Sequence, residues 1–401
     1  MKILQINTVV NSGSTGRIAE DIGRVLIEKG HESYIAYGRG NRPSASQLIK
    51  IGNSVDIYYH VLQTRLFDRH GLASVRATQK LIKQIENIKP DAIGLHNLHG
   101  YYINYEILFD YLLKKDVPVL WTLFDCWAFT GHCSYFDDID CQKYKNQCNR
   151  CPKKRNYPAS YFMDNSSNNY KIKKALFTSL NRMELVVHSK WLQRMVQSSF
   201  LSRLPIHTFP SGIDLNTFIP CNSNLREKYF LGEKKVILGC ASPWSERKGL
   251  KDFLKVRDLV SEEYVIALIG LNQKQIKALP QGIIGIKNTE NVQELAQWYS
   301  LADVFVNPTY QDNFPTTNIE SLACGTPVIT YNTGGSPEAI DEQTGIVVDK
   351  GDVDGLRTAI DVVLTNGKNY YREACRARAE RFFNKDDRFQ DYIELFQKLI
   401  G

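Results

Sequence analysis

Short apolar runs separated by helical patterns recur along this 401-residue chain, and the alternation starts afresh near its midpoint. In the first half, Ile3–Thr8, Ser33–Tyr37, Ala92–Leu95, Val117–Leu123 and Leu185–His188 read as strands. Between the first two, Ile18, Ile22, Val25 and Leu26 share one helical face, with Gly30 beyond its end. After the turn-rich Phe209-Pro210-Ser211-Gly212-Ile213-Asp214, strands are expected again at Val236–Cys240, Tyr264–Ile269, Ile283–Ile286, Asp303–Val306, Val328–Thr330 and Ile346–Val348. Strand and helix in alternation require a parallel α/β sheet. The chain is too long for one ordinary core. It reads as two doubly wound, Rossmann-like domains, 1–210 and 211–382, followed by a terminal helix over 383–401 that carries Tyr392, Leu395, Phe396 and Leu399 on one face. Such sheets take ligands beyond the carboxyl ends of their strands, so the expected site is a cleft between two sets of loops.

Composition narrows the setting. An apolar fraction of 43% with 23% charged residues is globular, and the net charge of +7 suits an anionic substrate or membrane surface as well as a plain solvated exterior. The run Met1-Lys2-Ile3-Leu4-Gln5-Ile6-Asn7 is too short for a secretory signal, and no 18 consecutive residues are apolar. The expected setting is cytoplasmic, with peripheral contact at the inner face of the plasma membrane left open. No nucleic-acid partner is expected.

Chemistry concentrates between Asp312 and Glu320, where Asp-Asn-Phe-Pro-Thr-Thr-Asn-Ile-Glu runs from a strand's end into a helix. The backbone N–H groups of Thr316, Thr317 and Asn318 are expected to lack intrahelical partners, which suits a phosphate. Asp312 and Glu320, with Asn313 and Phe314 between, flank that site, and carboxylates accept hydrogen bonds from sugar hydroxyls. Gly13-Ser14-Thr15-Gly16 lies between the first strand and first helix, where glycines admit a phosphate to backbone N–H groups; a plain tight turn is the alternative. Arg247 and Lys248 follow the first strand of the second half, where cations stabilise charge on a departing diphosphate. His96 ends a first-half strand, as does Asp125 in the next one.

The segment from Asp312 to Glu320 resembles the E-x7-E signature of the family 4 retaining glycosyltransferases, and the two-domain pattern resembles their GT-B fold over nearly the whole chain. The resemblance implies a nucleotide diphosphate-sugar donor, with Asp312 on the transferred sugar, Glu320 on the ribose, Lys248 on the phosphates and the glycine loop facing the donor. His96 matches a cleft-facing histidine of the family. The chain departs from the pattern at Asp312, where Glu is usual, at Pro243 for Arg, at Phe124 for His and at Ser211 for Asn. Arg247 is the candidate substitute for the missing arginine. The family's last helix packs back on the first domain.

Four of nine cysteines, Cys133, Cys141, Cys148 and Cys151, fall in an insertion over 126–158 that is rich in Lys, Asn and Asp and is expected to add little core. Four thiolates can hold a structural zinc ion; free thiols and a redox pair remain open. Cys126-Trp127-Ala128-Phe129-Thr130-Gly131-His132-Cys133 resembles enzymes of this family from colanic acid, capsule and other exopolysaccharide clusters. Asp138-Ile139-Asp140 fits the metal-binding D-x-D of a different transferase class, without the strand that should precede it. Lys143, Lys145, Arg150, Lys153, Lys154 and Arg155 make a basic patch able to meet anionic lipid or solvent.

The expectation is a retaining transferase acting from a UDP- or GDP-sugar on a glycan or polyprenyl-diphosphate-linked acceptor, with His96, Lys248 and Asp312 as catalytic residues and no catalytic cofactor. A catalytically silent subunit that binds nucleotide or glycan is the alternative, and a nucleotide-sugar epimerase is a third.

Overall fold

A computed structural model describes residues 1–401, which divide into two compact units, Met1–Phe209 with Arg388–Gly401, and Pro210–Asp387. The terminal segment thus joins the first unit at Arg388 rather than at 383.

The first unit is built on a seven-stranded sheet: β1 (Lys2–Asn7), β2 (Glu32–Tyr37), β3 (Gln47–Lys50), β4 (Ala92–Leu95), β5 (Val119–Leu123), β6 (Met183–Val187) and β7 (Ile206–Thr208). The order is β3-β2-β1-β4-β5-β6-β7 and every pairing is parallel. β3 and β7 are edge strands that the sequence did not announce. In register, Leu4 lies beside both Tyr34 and Ile93, which fixes β1 inside the sheet between β2 and β4. The sheet is covered on one face by the helix Gly13–Glu28, through Ile18, Ile22, Val25 and Leu26, and by Phe389, Tyr392, Ile393 and Phe396 of the last helix, Lys385–Ile400. These close on Ile3, Ala92, Leu120 and Val186. At roughly 1.5–3 kcal/mol for each large apolar side chain, this burial is what attaches the terminal segment. The other face packs Trp121, Phe109 and Phe177, and here the insertion contributes more core than expected, because Trp127, Phe129, Phe136 and Tyr144 are buried in the same cluster.

The second unit carries six parallel strands: β8 (Lys235–Cys240), β9 (Tyr264–Ile269), β10 (Ile283–Ile286), β11 (Val304–Asn307), β12 (Val328–Tyr331) and β13 (Gly345–Val348), in the order β10-β9-β8-β11-β12-β13. Each sheet winds outward from its first strand and then restarts on that strand's other side. Winding reverses between β1 and β4 and again between β8 and β11, and at such switch points the loops part to admit a ligand. Apart from Asp125 and the cysteines, which follow β5, the candidate residues fall on the loops and helix beginnings after these four strands. No helix is long and apolar enough to cross a membrane.

Candidate functional site

In the second unit the chain leaves β11, turns through 308–315 and enters the helix Thr316–Ala323. Asp312 is partly buried, and its Oδ2 lies 2.5 Å from Lys248 Nζ, carried by the short 3-10 turn Glu246–Lys248 after β8. Two loops 64 residues apart are thus joined by a charge-assisted hydrogen bond. Arg247 braces the same loop: its guanidinium donates to the Gln311 carbonyl, and its own carbonyl accepts from Tyr310 N–H at 2.8 Å and Thr309 Oγ1 at 3.3 Å. Gln311 went unremarked in the sequence, since a contact made through its carbonyl leaves no residue-type signal.

Thr316 and Thr317 occupy the first two helical positions, whose N–H groups have no intrahelical acceptor, and Pro315 before them supplies no side-chain cap. Asn318 departs from expectation. Its N–H donates to the Pro315 carbonyl at 3.2 Å, because the first turn is tightened, which leaves two open donors there rather than three. Its side chain turns inward, accepting from Asn307 Nδ2 at 2.7 Å and donating to Ser336 Oγ at 3.0 Å. Phe314 likewise packs inward on Phe383, with centroids 5.9 Å apart, as part of the core. Asn313 is buried beside it in sequence. Glu320 is buried and accepts a 3.0 Å hydrogen bond from Tyr299 O–H at Oε2. Burial and the neighbouring Glu320 charge hold the Tyr299 phenol well above its ordinary pKa.

One participant was missed in the sequence. Gly334 has φ +55°, and a Cβ there would stand 1.7 Å from the Asp312 carbonyl oxygen. Only glycine lets the turn after β12 lie against the Asp312 loop. The Thr333-Gly334-Gly335-Ser336-Pro337 run was the available turn signal.

In the first unit, Gly13-Ser14-Thr15-Gly16 is the first turn of a helix rather than a separate loop. Ser12 makes no side-chain cap, so the N–H groups of Gly13, Ser14 and Thr15 have no acceptor within the helix. Gly16 serves packing: its carbonyl accepts from Asn11 N–H at 3.1 Å, and a Cβ would stand 3.0 Å from Val9 Cγ2. At the carboxyl ends of β4 and β5, His96, His99, Phe124 and Asp125 line a cavity of about 10 Å³, room for roughly one water molecule. Gln5 Nε2 donates to Ala19 O at 2.8 Å, which turns Gln5 Oε1 toward His96 Nε2, also 2.8 Å away. His96 therefore donates through Nε2, and its buried Nδ1 is an acceptor without a partner. Burial pushes its pKa down to about 3, so the ring is neutral at physiological pH. Phe124, where the sequence lacks the second histidine, faces both His96 and His188, with centroids at 6.1 and 5.2 Å. Asp125 has a partner the sequence did not suggest: His99 Nε2 lies 2.8 Å from its Oδ2, and His99 Nδ1 lies 3.1 Å from Tyr157 O–H.

Both carboxylates of the Asp138–Asp140 pattern are taken up by side chains of the insertion. Asp138 is bonded to Lys153, and Asp140 accepts from Gln142 Nε2 at 2.6 Å. Cys133, Cys141, Cys148 and Cys151 line one cavity of about 10 Å³ together with His132. A hydrogen bond between Cys133 and Cys151 holds Cys151 down to about 7 and Cys133 above the usual thiol range. The thiols surround this cavity without converging: no three His, Cys, Asp or Glu side chains form a ligand group.

Each of the two parallel, doubly wound domains carries open helix N-terminal N–H groups at its switch point, and the second adds a cation bonded to a carboxylate, an architecture suited to anionic ligands. The family model for glycosyltransferase family 4 matches residues 15–217, just over half of the chain, and that for glycosyl transferases group 1 matches 234–366. The chain belongs to glycosyltransferase family 4. A candidate colanic acid biosynthesis glycosyl transferase of Escherichia coli (strain K12), WcaC, is 29% identical over 170 residues, 39% of this chain and 41% of that protein. A GDP-mannose-dependent alpha-(1-6)-phosphatidylinositol monomannoside mannosyltransferase of Mycolicibacterium smegmatis is 28% identical over 200 residues, 44% of this chain and 52% of that protein. The chain thus matches about half the length of these curated relatives or less. Sucrose-phosphate synthase of Thermosynechococcus elongatus superposes with a TM-score of 0.72 at 16% identity, over 99% of this chain and 98% of that one. HepE of Anabaena, solved with UDP and glucose, gives 0.71 at 14% identity over 99% of each chain. Both likenesses support the GT-B fold.

Proposed function

We propose that the chain is a retaining glycosyltransferase that moves a sugar from a UDP- or GDP-sugar to a hydroxyl of a glycan or polyprenyl-diphosphate-linked acceptor in surface polysaccharide biosynthesis at the cytoplasmic side of a membrane. The observation that carries this reading is the loop-helix unit on which Asp312, the Thr316 and Thr317 N–H groups and Glu320 lie in succession, with Lys248 of the turn after β8 bonded to it through Asp312. In the reaction the bond from the sugar to the diphosphate breaks as the acceptor oxygen bonds to the same carbon on the same face. The acceptor proton passes to the departing phosphate oxygen. Lys248 and the two threonine N–H groups stabilise the charge arriving on the diphosphate, and Glu320 accepts from the ribose hydroxyls. Asp312 orients Lys248 through Oδ2 and offers Oδ1 to the sugar. His96 Nδ1 accepts a hydroxyl of sugar or acceptor. The relatives' names include GDP-mannose for one, and the HepE structure holds UDP, so both bases stay in the proposal.

The test is release or transfer of sugar from a panel of nucleotide sugars, and a chain that binds them without turnover would overturn the enzymatic reading. Glu320→Gln should weaken UDP or GDP binding by about 1–3 kcal/mol, because charge-assisted bonds to ribose become neutral ones. The fold should survive, since the new amide keeps an oxygen to accept from Tyr299. Unchanged affinity in calorimetry would remove Glu320 from the ribose.

We also propose that Cys133, Cys141, Cys148 and Cys151 hold one structural zinc ion, with no step of transfer routed through it. Support comes from four sulfur donors around one ion-sized cavity; their convergence would come from turning thiols inward when an ion binds. Protein purified without chelator should carry about one zinc per chain, and Cys148→Ser should lose it. Elemental analysis finding none would leave these residues as free thiols.

A further inference from the structure

The helix Ser54–Phe67 is amphipathic in the inverted sense. Its buried positions are polar, His60 and Thr64. Gly71 N–H donates to His60 Nε2 at 2.9 Å, which leaves Nδ1 to donate to Ser74 Oγ at 2.8 Å, and Thr64 Oγ1 donates to the His60 carbonyl at 2.9 Å. Its outward positions are apolar: Val55, Tyr58, Tyr59, Leu62 and Phe67 are exposed, with Val55 and Tyr58 each at 75%. The spacing 55, 58, 59, 62 is a continuous helical stripe. Folding gains nothing from it, whereas a helix serving a core turns such a stripe inward.

The stripe continues onto a second segment. Tyr161 N–H donates to the Arg65 carbonyl at 2.9 Å and Met163 N–H to the Leu66 carbonyl at 3.1 Å, which lays 161–163 along the helix's last turn. Tyr161, Phe162 and Met163 are all exposed, Phe162 at 72%. Cations border this surface. Arg65 lies over the Tyr161 ring at 5.1 Å, and Lys154 Nζ donates to the Phe162 carbonyl at 3.0 Å, which ties the basic insertion to the aromatic segment. Arg69 and Arg76 share a groove of about 440 Å³ with Tyr59. The acids nearby are spent on backbone N–H groups: Asp56 on Asn53, and Asp164 on Cys151 and Ser166.

We propose that this face docks on an anionic lipid bilayer, with the exposed tyrosines and Phe162 seated at the headgroup boundary and the flanking Arg and Lys residues on lipid phosphates. Rings set among Arg65, Arg69, Arg76 and Lys154, cations that outnumber the neighbouring carboxylates Asp56 and Asp164, match a surface that is apolar just beneath a negative layer. The proposal stands apart from the transfer reading, because docking is measured without donor or acceptor.

The full chain should sediment with vesicles of phosphatidylcholine mixed with phosphatidylglycerol and remain in the supernatant with phosphatidylcholine alone, and high salt should release it. Tyr58→Ser combined with Phe162→Ser should lower partitioning about tenfold or more, and Arg69→Gln with Arg76→Gln by about tenfold, without change in melting temperature. As a second measurement, Phe162→Trp should introduce emission quenched by brominated lipid. Absence of binding to the anionic vesicles, equal binding to both vesicle types, or no quenching would overturn the proposal. So would self-association of the parent that the Tyr58→Ser, Phe162→Ser variant abolishes, since a second copy would then be the occupant.

Discussion

Lys248→Ala should lower kcat/KM about a hundredfold to a thousandfold with every nucleotide sugar the parent uses, the range expected when one preorganised donor to a developing negative charge is removed. The loss should fall mainly on kcat, because the charge on the diphosphate grows as the sugar departs. Asp312 makes the experiment more informative than a single substitution. In Lys248→Ala its carboxylate loses the partner 2.5 Å away, so part of any loss could come from a rearranged loop. Lys248→Ala, Asp312→Asn and the double variant form a cycle that separates the two contributions. If Lys248→Ala turns over at the parent rate, the lysine serves only to hold Asp312.

Acidification should unfold the first unit well above the pH at which carboxylate loss alone acts. Burial pulls His60 and His96 down to about 3, His188 down to about 4, and His70 well below its ordinary value. Above pH 6.5 neither state binds protons at these rings, so they leave stability unchanged there. Below 6.5 the unfolded chain binds protons at His60, His96 and His188 that the native unit refuses until pH 3–4, and His70 acts in the same direction, so stability falls as pH falls. Each of these three costs up to about 1.4 kcal/mol per pH unit in that window, and together they reach about 4. For His132, burial pulls down, but the Asp68 hydrogen bond and charge prevail and leave it raised, so it opposes the trend. Against a total stability of roughly 5–15 kcal/mol, the sum suffices to unfold the unit between about pH 6 and 4. Emission from Trp121 and Trp127, both buried in this unit, should shift to the red through that window. An unchanged spectrum down to pH 3 would show that these rings are solvated in the native protein.

Strands whose both faces are buried were legible because they are continuous apolar runs. Tyr264–Ile269 and Ala92–Leu95 were read to the residue. Gln47–Lys50 was invisible for the converse reason: as an edge strand it buries only Ile49, and four residues with one apolar contact give no period. The loop from Asp312 to Glu320 could be found because helix starts and strand ends have local signals. What that loop touches could not. Lys248 meets Asp312, and Gly334 meets the Asp312 carbonyl, through a β-sheet order that brings distant turns together. Phe314 was expected at the ligand because it stands between Asp312 and Glu320, and Asn318 because its N–H was expected to be open; the tightened turn takes up that N–H, and both side chains turn inward on Ser336 and Phe383 far along the chain. The inverted helix at 54–67 shows the same limit, since a buried His60 is intelligible only beside Ser74 and Gly71.

The ion pair between Lys248 and Asp312 also bears on how a turnover ends. A nucleoside diphosphate left at the site would be held most strongly by an unpartnered cation, and a product that cannot leave sets the rate. Here the lysine has a built-in counter-ion within reach, so an arriving anion must share or displace the carboxylate and a departing one is replaced by it. Under the proposed transfer, the carboxylate would thereby lower the cost of letting the spent nucleotide go. It does so at the expense of affinity for any anion, donor included, and sets how far the site can be saturated before release becomes the slow step.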